Sequence, residues 1–138
     1  MRALVQRVSR AAVRVDGREV ASIDAGLLIL LGVHERDDAS TADRLAEKVR
    51  TLRIFADGQE RMNDPLGDRE VLCVSEFTLY GDAGRGNRPS FVAAAPAALA
   101  GPLYERFCER LEARRGVFGA QMQVELVNDG PVTLILDQ

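Results

Sequence analysis

Apolar and polar residues alternate along the first part of the chain, which is the period of a strand with one buried face. Arg2 to Ser9 follows this pattern and predicts a strand. Ala11 to Val15 and Glu19 to Ile23 flank Asp16-Gly17, a pair typical of a type I′ turn, and predict a hairpin. Leu27 to Val33 is continuously apolar, as expected of a strand buried on both faces.

Two segments have helical spacing of their apolar residues. Ser40 is the predicted N-cap of the first, with Asp43 three residues later in capping-box spacing. The apolar face of this helix consists of Ala42, Leu45, Ala46, Val49 and Leu52. The second helix is predicted from about Pro96 to Arg115, and Pro102 inside it predicts a kink or a helix that begins there.

The remaining pattern is typical of strands. Arg53 to Ala56 predicts a short strand, and Val71 to Tyr80 predicts a longer one. Gln121 to Val127 and Pro131 to Leu136 predict two further strands on either side of the tight turn Asn128-Asp129-Gly130. Strands with two helices indicate an α+β fold in which the helices cover one face of a sheet.

Length and composition indicate an ordinary globular protein. The 138 residues are 46% hydrophobic and 28% charged, which predicts one domain spanning residues 1–138. The longest apolar run, Ala25 to Val33, is far shorter than a membrane span. The first residues lack the apolar stretch and cleavage site of a signal peptide. We therefore expect a soluble cytoplasmic protein with no membrane partner.

Charge and reactive side chains narrow the chemistry. A net charge of −3 argues against sheathing long DNA, although a few arginines could still grip one end of an RNA. His34, the one histidine, follows a predicted strand in a charged loop, so we expect no histidine base. Cys73 and Cys108 have no CxxC spacing and are expected to be buried reduced thiols. We expect no metal and no cofactor.

Two short polar segments have alternative interpretations. In an extended strand, Glu76 and Thr78 of Ser75-Glu76-Phe77-Thr78 would point the same way, either to solvent or into a polar site. The Asn128 to Thr133 segment could be a plain hairpin turn. Alternatively, its Gly130-Pro131 bond could be cis, at a cost of only about 0.5–1 kcal/mol, and aim its carbonyls where a trans turn cannot.

Two other features also have both a structural and a functional interpretation. Gly84 to Arg88 lacks the GK[ST] of a phosphate-binding P-loop, and its two arginines could lie in a flexible loop or contact an RNA phosphate. Phe118 and Met122 could belong to the core. They could also form a slot for one stacked base, an interaction worth about 1–3 kcal/mol.

Taken in order along the chain, five segments resemble the D-aminoacyl-tRNA deacylases. These segments are MRALVQRV, GLLILLGV, SEFTLYGD, RGNRPSF and MQVELVNDGPVT, and the resemblance extends over essentially the whole chain. It implies a compact layered β/β/α domain and a homodimer with two sites across its interface. It also implies hydrolysis of the ester that joins a D-amino acid to the 3′-terminal adenosine of tRNA, and removal of glycine mischarged onto tRNA(Ala).

The resemblance also implies roles for individual residues. Gly130 and Pro131 match a Gly-cisPro motif that enters the partner subunit's pocket and rejects L-amino acids, and Arg7 matches the arginine that holds this motif. Ser75 and Thr78 match the outer residues of the family's Ser-Gln-X-Thr motif, which lines the ester. Together with Glu76 between them they are the predicted catalytic residues, and Phe77 is a predicted substrate-binding residue. Phe118 and Met122 match residues that bracket the terminal adenine.

Glu76 departs from the glutamine of the family. A glutamine side chain both donates and accepts hydrogen bonds, whereas a carboxylate only accepts them. A carboxylate would also repel a nearby RNA phosphate, unless Glu76 points away, is paired with an arginine or is protonated. The resemblance implies that the 2′-hydroxyl of the adenosine helps to activate water, while backbone amides near Thr78 polarise the carbonyl. Thr78 as a covalent nucleophile ranks lower because the sequence offers no evident base.

Two other functions remain open at this point. The first is an editing domain that removes an L-amino acid, like those attached to some threonyl-tRNA synthetases. The second is a non-catalytic protein that binds the 3′ end of tRNA, in which Glu76 would mark lost activity.

Overall fold

The computed structural model describes residues 1–138, which form eight strands, two α-helices and one 3₁₀ turn at Phe77–Tyr80. The α-helices are α1 (Ala39–Thr51) and α2 (Ala97–Arg110). The strands are β1 (Arg2–Val15), β2 (Arg18–Ile23), β3 (Gly26–Gly32), β4 (Phe55–Ala56), β5 (Met62–Asp64), β6 (Glu70–Ser75), β7 (Arg114–Arg115) and β8 (Gln123–Asp137). Neither helix has the length and continuous apolar surface needed to cross a lipid bilayer.

Strand β1 is the central strand of this part of the main sheet and pairs with three other strands. One edge of β1 pairs with β3 and then with β2, and the other edge pairs with β8 along almost its whole length. The prediction of a separate strand ending at Ser9 was wrong, because pairing with β8 carries β1 on to Val15. The predicted type I′ turn is confirmed: Asp16 and Gly17 have φ values of 49° and 75°.

Parallel strands β3 and β6 form the centre of the sheet, and both of their faces are buried. Alternate residues such as Ile29 and Cys73 pack under α1 and α2 in the larger apolar cluster. Their neighbours Leu28 and Leu72 face a second cluster that includes Val13 of β1. The predicted α+β fold, with both helices on one sheet face, is confirmed.

Helix α1 begins two residues earlier than predicted. Its N-cap is Asp38, whose Oδ1 accepts a hydrogen bond from the Thr41 amide at 2.8 Å. Ser40 does not cap the helix, since its hydroxyl donates to the same Asp38 oxygen at 2.9 Å. The predicted apolar face is confirmed except at its end, where Leu52 is the half-buried C-cap.

Helix α2 is shorter than the sequence predicted. It begins at Ala97, so Pro102 lies inside it and does not start it. The helix ends at Arg110, and Glu112 then takes a left-handed conformation with φ of 52°. This reversal lets Arg114–Arg115 add to the edge of β6 as β7, where the sequence predicted helix.

Two predicted strand boundaries were wrong at positions that matter for the site. The predicted strand Val71 to Tyr80 ends at Ser75 and continues as the 3₁₀ turn. Asn128 to Gly130 is not a hairpin turn, because β8 continues past it on the same edge of β1. The Asn128 side chain donates to Arg7 O at 2.9 Å and to Val132 O at 3.0 Å, so the intervening residues bulge out without ending the strand.

Candidate active site

A cavity of about 420 Å³ opens at the carboxyl ends of β3 and β6. Its wall includes five of the residues singled out from the sequence: Ser75, Glu76, Phe77, Phe118 and Met122. Most of the other lining side chains are apolar, among them residues of β3, α2 and the start of β8. A largely apolar pocket with a few polar groups at one end is the usual form of a small-ligand site.

The polar end of the cavity is the point where β6 turns into the 3₁₀ turn. The Glu76 amide still donates to Leu31 O at 2.8 Å, and the turn's first internal bond is from the Leu79 amide to Glu76 O at 3.3 Å. The amides of Phe77 and Thr78 lie between these two bonds and donate to no acceptor in the chain. Two adjacent free N–H groups can stabilise negative charge on an oxygen placed near them.

Glu76 and Thr78 interact directly. The Thr78 hydroxyl donates a hydrogen bond to Glu76 Oε1. Thr78 lies in the 3₁₀ turn and not in the extended strand that the sequence predicted. Glu76 is half-buried and lines the cavity, and no arginine is paired with it. The Thr78 side chain is exposed and does not line the cavity, whereas its amide is joined directly to Phe77 of the cavity wall. The Glu76 carboxylate thus accepts a hydrogen bond from the Thr78 hydroxyl, and the catalytic role of Thr78 stays a prediction.

The apolar end of the cavity is built around Phe118 and Met122. Phe118 packs against the ring of Tyr104 with centroids 5.7 Å apart and the planes tilted by 44°. Met122 crosses directly over Gly116, where a Cβ would come within 2.7 Å of its sulfur. Gly116 thus lets the methionine lie close to the sheet while the cavity remains open.

Tyr104 is a cavity residue that sequence reasoning missed. Burial raises its pKa, so the phenol stays protonated, and it donates to the Cys73 carbonyl at 2.8 Å. This bond joins α2 to β6 below the cavity. Helical spacing offered a signal, since Tyr104 is three residues before Phe107 on the predicted apolar stripe.

Phe77 joins the cavity to the loop that follows the turn. Its side chain is 57% exposed and stacks edge-on against Phe91, with centroids 5.1 Å apart. An exposed aromatic ring at the rim of an apolar pocket is available to a ligand.

Arg7, Gly130 and Pro131 form a second group of predicted residues outside this cavity. The Gly130-Pro131 peptide bond is cis. Arg7 Nε donates to Asp129 O at 3.2 Å and lies 3.0 Å from Asp129 Oδ2, while its Nη1 donates to Ile54 O at 2.7 Å. The arginine therefore ties the exposed bulge of β8 to the segment before β4.

Arg7 and the cavity lie at opposite ends of β3. Arg7 pairs with Leu27, whereas Leu31 lines the cavity. Four residues of strand separate these positions by about 13 Å. Within one chain, the cavity and the Gly130-Pro131 bulge are thus separate features.

The other candidate residues lie outside the cavity. His34, which was expected in a solvated loop after the strand, is half-buried, forms a bridge with Ala94 and packs edge-on against Tyr80 at 5.1 Å. Cys73 and Cys108 are buried and free, as expected. Burial raises the pKa of the Cys73 thiol, which makes it a poor nucleophile.

Comparison with known proteins relates the whole chain to one family. The family model described as D-Tyr-tRNA(Tyr) deacylase matches residues 4–137. The D-aminoacyl-tRNA deacylase of Roseiflexus castenholzii is 55% identical, covering 99% of this chain and 92% of that protein. The enzyme of the same name from Koribacter versatilis is 54% identical, covering 99% of this chain and 97% of that one.

Solved structures agree with these sequence matches. A structure named c-Myc DNA Unwinding Element Binding Protein superposes with a TM-score of 0.94 at 37% identity, covering 100% of this chain and 99% of that one. A probable eukaryotic D-amino acid tRNA deacylase shares the fold, with a TM-score of 0.84 at 16% identity, covering 99% and 98% of the two chains. The expected layered fold is therefore confirmed, and the chain belongs to the D-Tyr-tRNA(Tyr) deacylase family.

Proposed function

We propose that this chain hydrolyses the ester between a D-amino acid and the 3′-terminal adenosine of tRNA, releasing the free amino acid and the tRNA. Membership of the family and the shared name of its curated relatives support deacylation of D-aminoacyl-tRNA. The observation that carries the proposal is the cavity that joins Ser75, Glu76 and Phe77 at its polar end to Phe118 and Met122 at its apolar end.

The apolar end of the cavity takes the terminal adenine. Phe118 offers a ring face and Met122 a polarisable thioether, and both are half-buried around an open space. Stacking of a base on an aromatic ring is worth about 1–3 kcal/mol and requires no base-specific hydrogen bond. This arrangement suits a nucleotide that is the same in every tRNA.

The ester lies at the polar end of the cavity. Its carbonyl oxygen accepts hydrogen bonds from the free amides of Phe77 and Thr78, which stabilise the charge that develops there. Water, activated with help from the adenosine 2′-hydroxyl, adds to the carbonyl carbon. The bond to the 3′ oxygen then breaks, and that oxygen takes up the proton. Because an aminoacyl ester is already activated, positioning does most of the work.

Chiral selection uses the Gly130-Pro131 bulge of a second subunit. In one chain this bulge is exposed and held by Arg7, and neither Gly130 nor Pro131 lines the cavity. A homodimer brings the partner's copy to the cavity, where its backbone leaves no room for an L side chain. Glycine has no side chain to reject, so glycyl-tRNA(Ala) is also hydrolysed.

The edge strand β8 supports a dimer. It is the outer strand of the sheet, and it exposes apolar residues, with Ile135 at 63% and Val127 at 41%. A long exposed edge with apolar side chains is unfavourable in an isolated protomer and is normally covered. The cytoplasmic location and the single domain over residues 1–138 stay predictions.

Of the other functions, a non-catalytic protein that binds the 3′ end of tRNA is favoured by one observation. Glu76 has no arginine to neutralise it, so its carboxylate faces the space where RNA would lie. The structure named c-Myc DNA Unwinding Element Binding Protein has a name that refers to DNA. We do not propose DNA as a ligand of this chain, because its net charge of −3 disfavours the many phosphate contacts that duplex binding needs.

Hydrolysis of matched D-tyrosyl-, L-tyrosyl- and glycyl-tRNA by the purified protein tests the proposal, with spontaneous hydrolysis of each substrate measured in parallel. We expect rapid release from the D-aminoacyl and glycyl substrates and none above background from the L-aminoacyl substrate. Binding of D-tyrosyl-tRNA without release would instead indicate the non-catalytic function. Sedimentation of the same sample as a monomer at assay concentration would contradict the shared site.

A further inference from the structure

The loop from Gly81 to Ser90 rises directly from the 3₁₀ turn at the cavity rim. Its two ends are held together, because the amides of Asp82 and Ser90 each donate to the other residue's carbonyl at 2.8 Å. Phe91, which follows the loop, packs edge-on against Phe77 of the cavity wall. The base of the loop is thus fixed against the cavity, while its tip extends into solvent.

The tip of this loop has an unbalanced positive charge. Arg85 and Arg88 are exposed and form neither an ion pair nor a hydrogen bond, although most arginines on the sheet and helices are paired with carboxylates, as Arg106 is with Asp43. The segment from Gly84 to Pro89 contains no acidic residue. Asp82, the acidic residue closest in sequence, accepts a hydrogen bond from the Gly84 amide at 2.8 Å and forms no ion pair with Arg85 or Arg88.

Free guanidinium groups of this kind suit phosphate. Each presents a planar set of donors that matches two phosphate oxygens, and an unpaired arginine has no existing ion pair to lose on binding. The chain as a whole is acidic, with a net charge of −3, so its overall field does not attract RNA. Local contacts at the cavity rim are then needed to hold a polyanionic substrate.

The position of the Gly81 to Ser90 loop determines which phosphates of a bound RNA strand its arginines can reach. Arg88 is three residues from Phe91, which places it within about 10 Å of backbone from the residue that touches the cavity wall. A terminal adenosine seated in the cavity must be followed by the remaining nucleotides of the 3′ strand as they pass over the rim. Where this strand crosses the rim on the side of Phe77, successive phosphates come within reach of the exposed loop tip.

We propose that Arg85 and Arg88 bind backbone phosphates of the tRNA 3′ strand next to the terminal adenosine. This inference rests on the proposed function, since it takes the cavity to hold that adenosine. The two arginines bind substrate without taking part in ester cleavage. They recognise charge and not base sequence, as suits an end that all tRNAs share.

The test compares two substrates that carry the same ester. One is D-tyrosyl-tRNA, and the other is 3′-O-D-tyrosyl adenosine, which has no phosphate. For the double variant Arg85→Ala/Arg88→Ala we expect KM for the tRNA to rise about tenfold at low salt, with kcat unchanged. The slope of log KM against log salt concentration should become shallower by about 1.4–1.8, which is the loss of two phosphate contacts.

Two further variants separate charge from other effects. Arg85→Lys/Arg88→Lys keeps both charges and should retain most of the salt dependence. Arg18→Ala removes another exposed arginine without an ion pair, in the β1–β2 hairpin, and should leave KM for the tRNA unaltered. Circular dichroism of each variant checks that the fold is intact.

Each outcome separates the inference from the proposed function. Equal changes on both substrates, or an unchanged salt slope in the double alanine variant, would overturn the role of the loop. If the unmodified protein hydrolyses neither substrate, the proposed function fails, and binding of uncharged tRNA at varied salt then tests the loop by itself. Unweakened binding of that tRNA by the double alanine variant would also overturn the inference.

Discussion

The guanidinium of Arg7 lies directly against Gly130: a Cβ placed on Gly130 would stand only 2.8 Å from Arg7 Nη2. Arg7 also holds the neighbouring Asp129 through its carbonyl and carboxylate, at 3.2 and 3.0 Å. The exposed bulge of β8 is therefore supported from behind by one side chain, and the absence of a side chain at Gly130 is what permits the close approach.

Gly130→Ala should disturb both the bulge and chiral selection. Gly130 has φ of 119°, where an L residue is strained by about 1–3 kcal/mol, and the new methyl group would also collide with Arg7 and Val132. We expect a lower unfolding free energy and a reduced D/L ratio of kcat/KM. Urea unfolding and paired deacylation assays measure these. Gly58→Ala, with open space around its Cβ, is the matched control, and an unchanged D/L ratio in Gly130→Ala would contradict the proposal.

Thr78→Ala distinguishes backbone from side-chain catalysis. If the Thr78 amide polarises the carbonyl, removing the hydroxyl should leave kcat within about tenfold of the starting value, since the main-chain donor is retained. Single-turnover deacylation measures this rate. Complete loss of turnover with intact tRNA binding would instead favour the hydroxyl, which donates to Glu76, as the nucleophile.

Glu76→Gln should strengthen substrate binding. The carboxylate lines the cavity without a cationic partner, so it would repel the phosphates of a tRNA bound there, and removing the charge should lower KM for D-tyrosyl-tRNA about twofold at low salt. The difference should vanish at high salt, where screening removes the repulsion. Glu47→Gln on the outer face of α1 provides the charge-matched control. A KM that rises in Glu76→Gln would mean that the carboxylate contributes to binding.

Phe118→Ala should weaken adenosine binding. Loss of base stacking worth about 1–3 kcal/mol corresponds to a KM about 5- to 150-fold higher. The same change should appear with 3′-O-D-tyrosyl adenosine, because the contact involves the base and not the phosphates. Val117→Ala removes an adjacent exposed side chain outside the cavity and serves as control. Equal KM values for the two variants would rule out the stacking role.

Asp38 should make the stability of α1 depend on acid pH. Hydrogen bonds from the Thr41 amide and from the hydroxyls of Ser40 and Thr41 lower the pKa of Asp38 from 3.8 to about 2. A carboxyl whose pKa is lowered in the folded state stabilises the fold above its unfolded pKa, and this contribution is lost as the pH falls through its folded pKa. Asp38→Ala should therefore lower the melting temperature at pH 7.

The stability deficit of Asp38→Ala should shrink as the pH falls from 4 towards 2, whereas Asp38→Asn, which keeps a capping oxygen, should lose little at pH 7. Thermal unfolding followed by circular dichroism across this range measures both variants. A deficit that is constant with pH would mean that the charge of Asp38 does not contribute.

Local patterns were sufficient for most elements of the fold. The β1–β2 turn at Asp16-Gly17, the buried strand β3 and the apolar face of α1 all follow from residues close together in sequence. These predictions succeeded because turn conformation and side-chain periodicity depend on neighbouring residues.

The errors fall where distant residues supply the hydrogen bonds. β6 gives way to the 3₁₀ turn after Ser75 although the sequence pattern continues, and Asn128 bonds the Arg7 carbonyl across 121 residues so that β8 bulges without ending. Neither the end of β6 nor the partner of Asn128 can be identified from the neighbouring residues in sequence. Helical spacing indicates that Tyr104 faces the core, but that it lines the cavity depends on the β6 carbonyl that positions its phenol.

By itself, the sequence determined the types of element, the α+β class and, through five ordered motifs, the family and most of the candidate site residues. Only the tertiary structure decided that Ser75 and Phe118 share one cavity, that the Phe77 and Thr78 amides are free and that Arg7 holds the bulge at Gly130 outside that cavity. Periodicity records which side of an element is buried. Which polar groups meet and which stay unpaired depends on contacts between segments far apart along the chain.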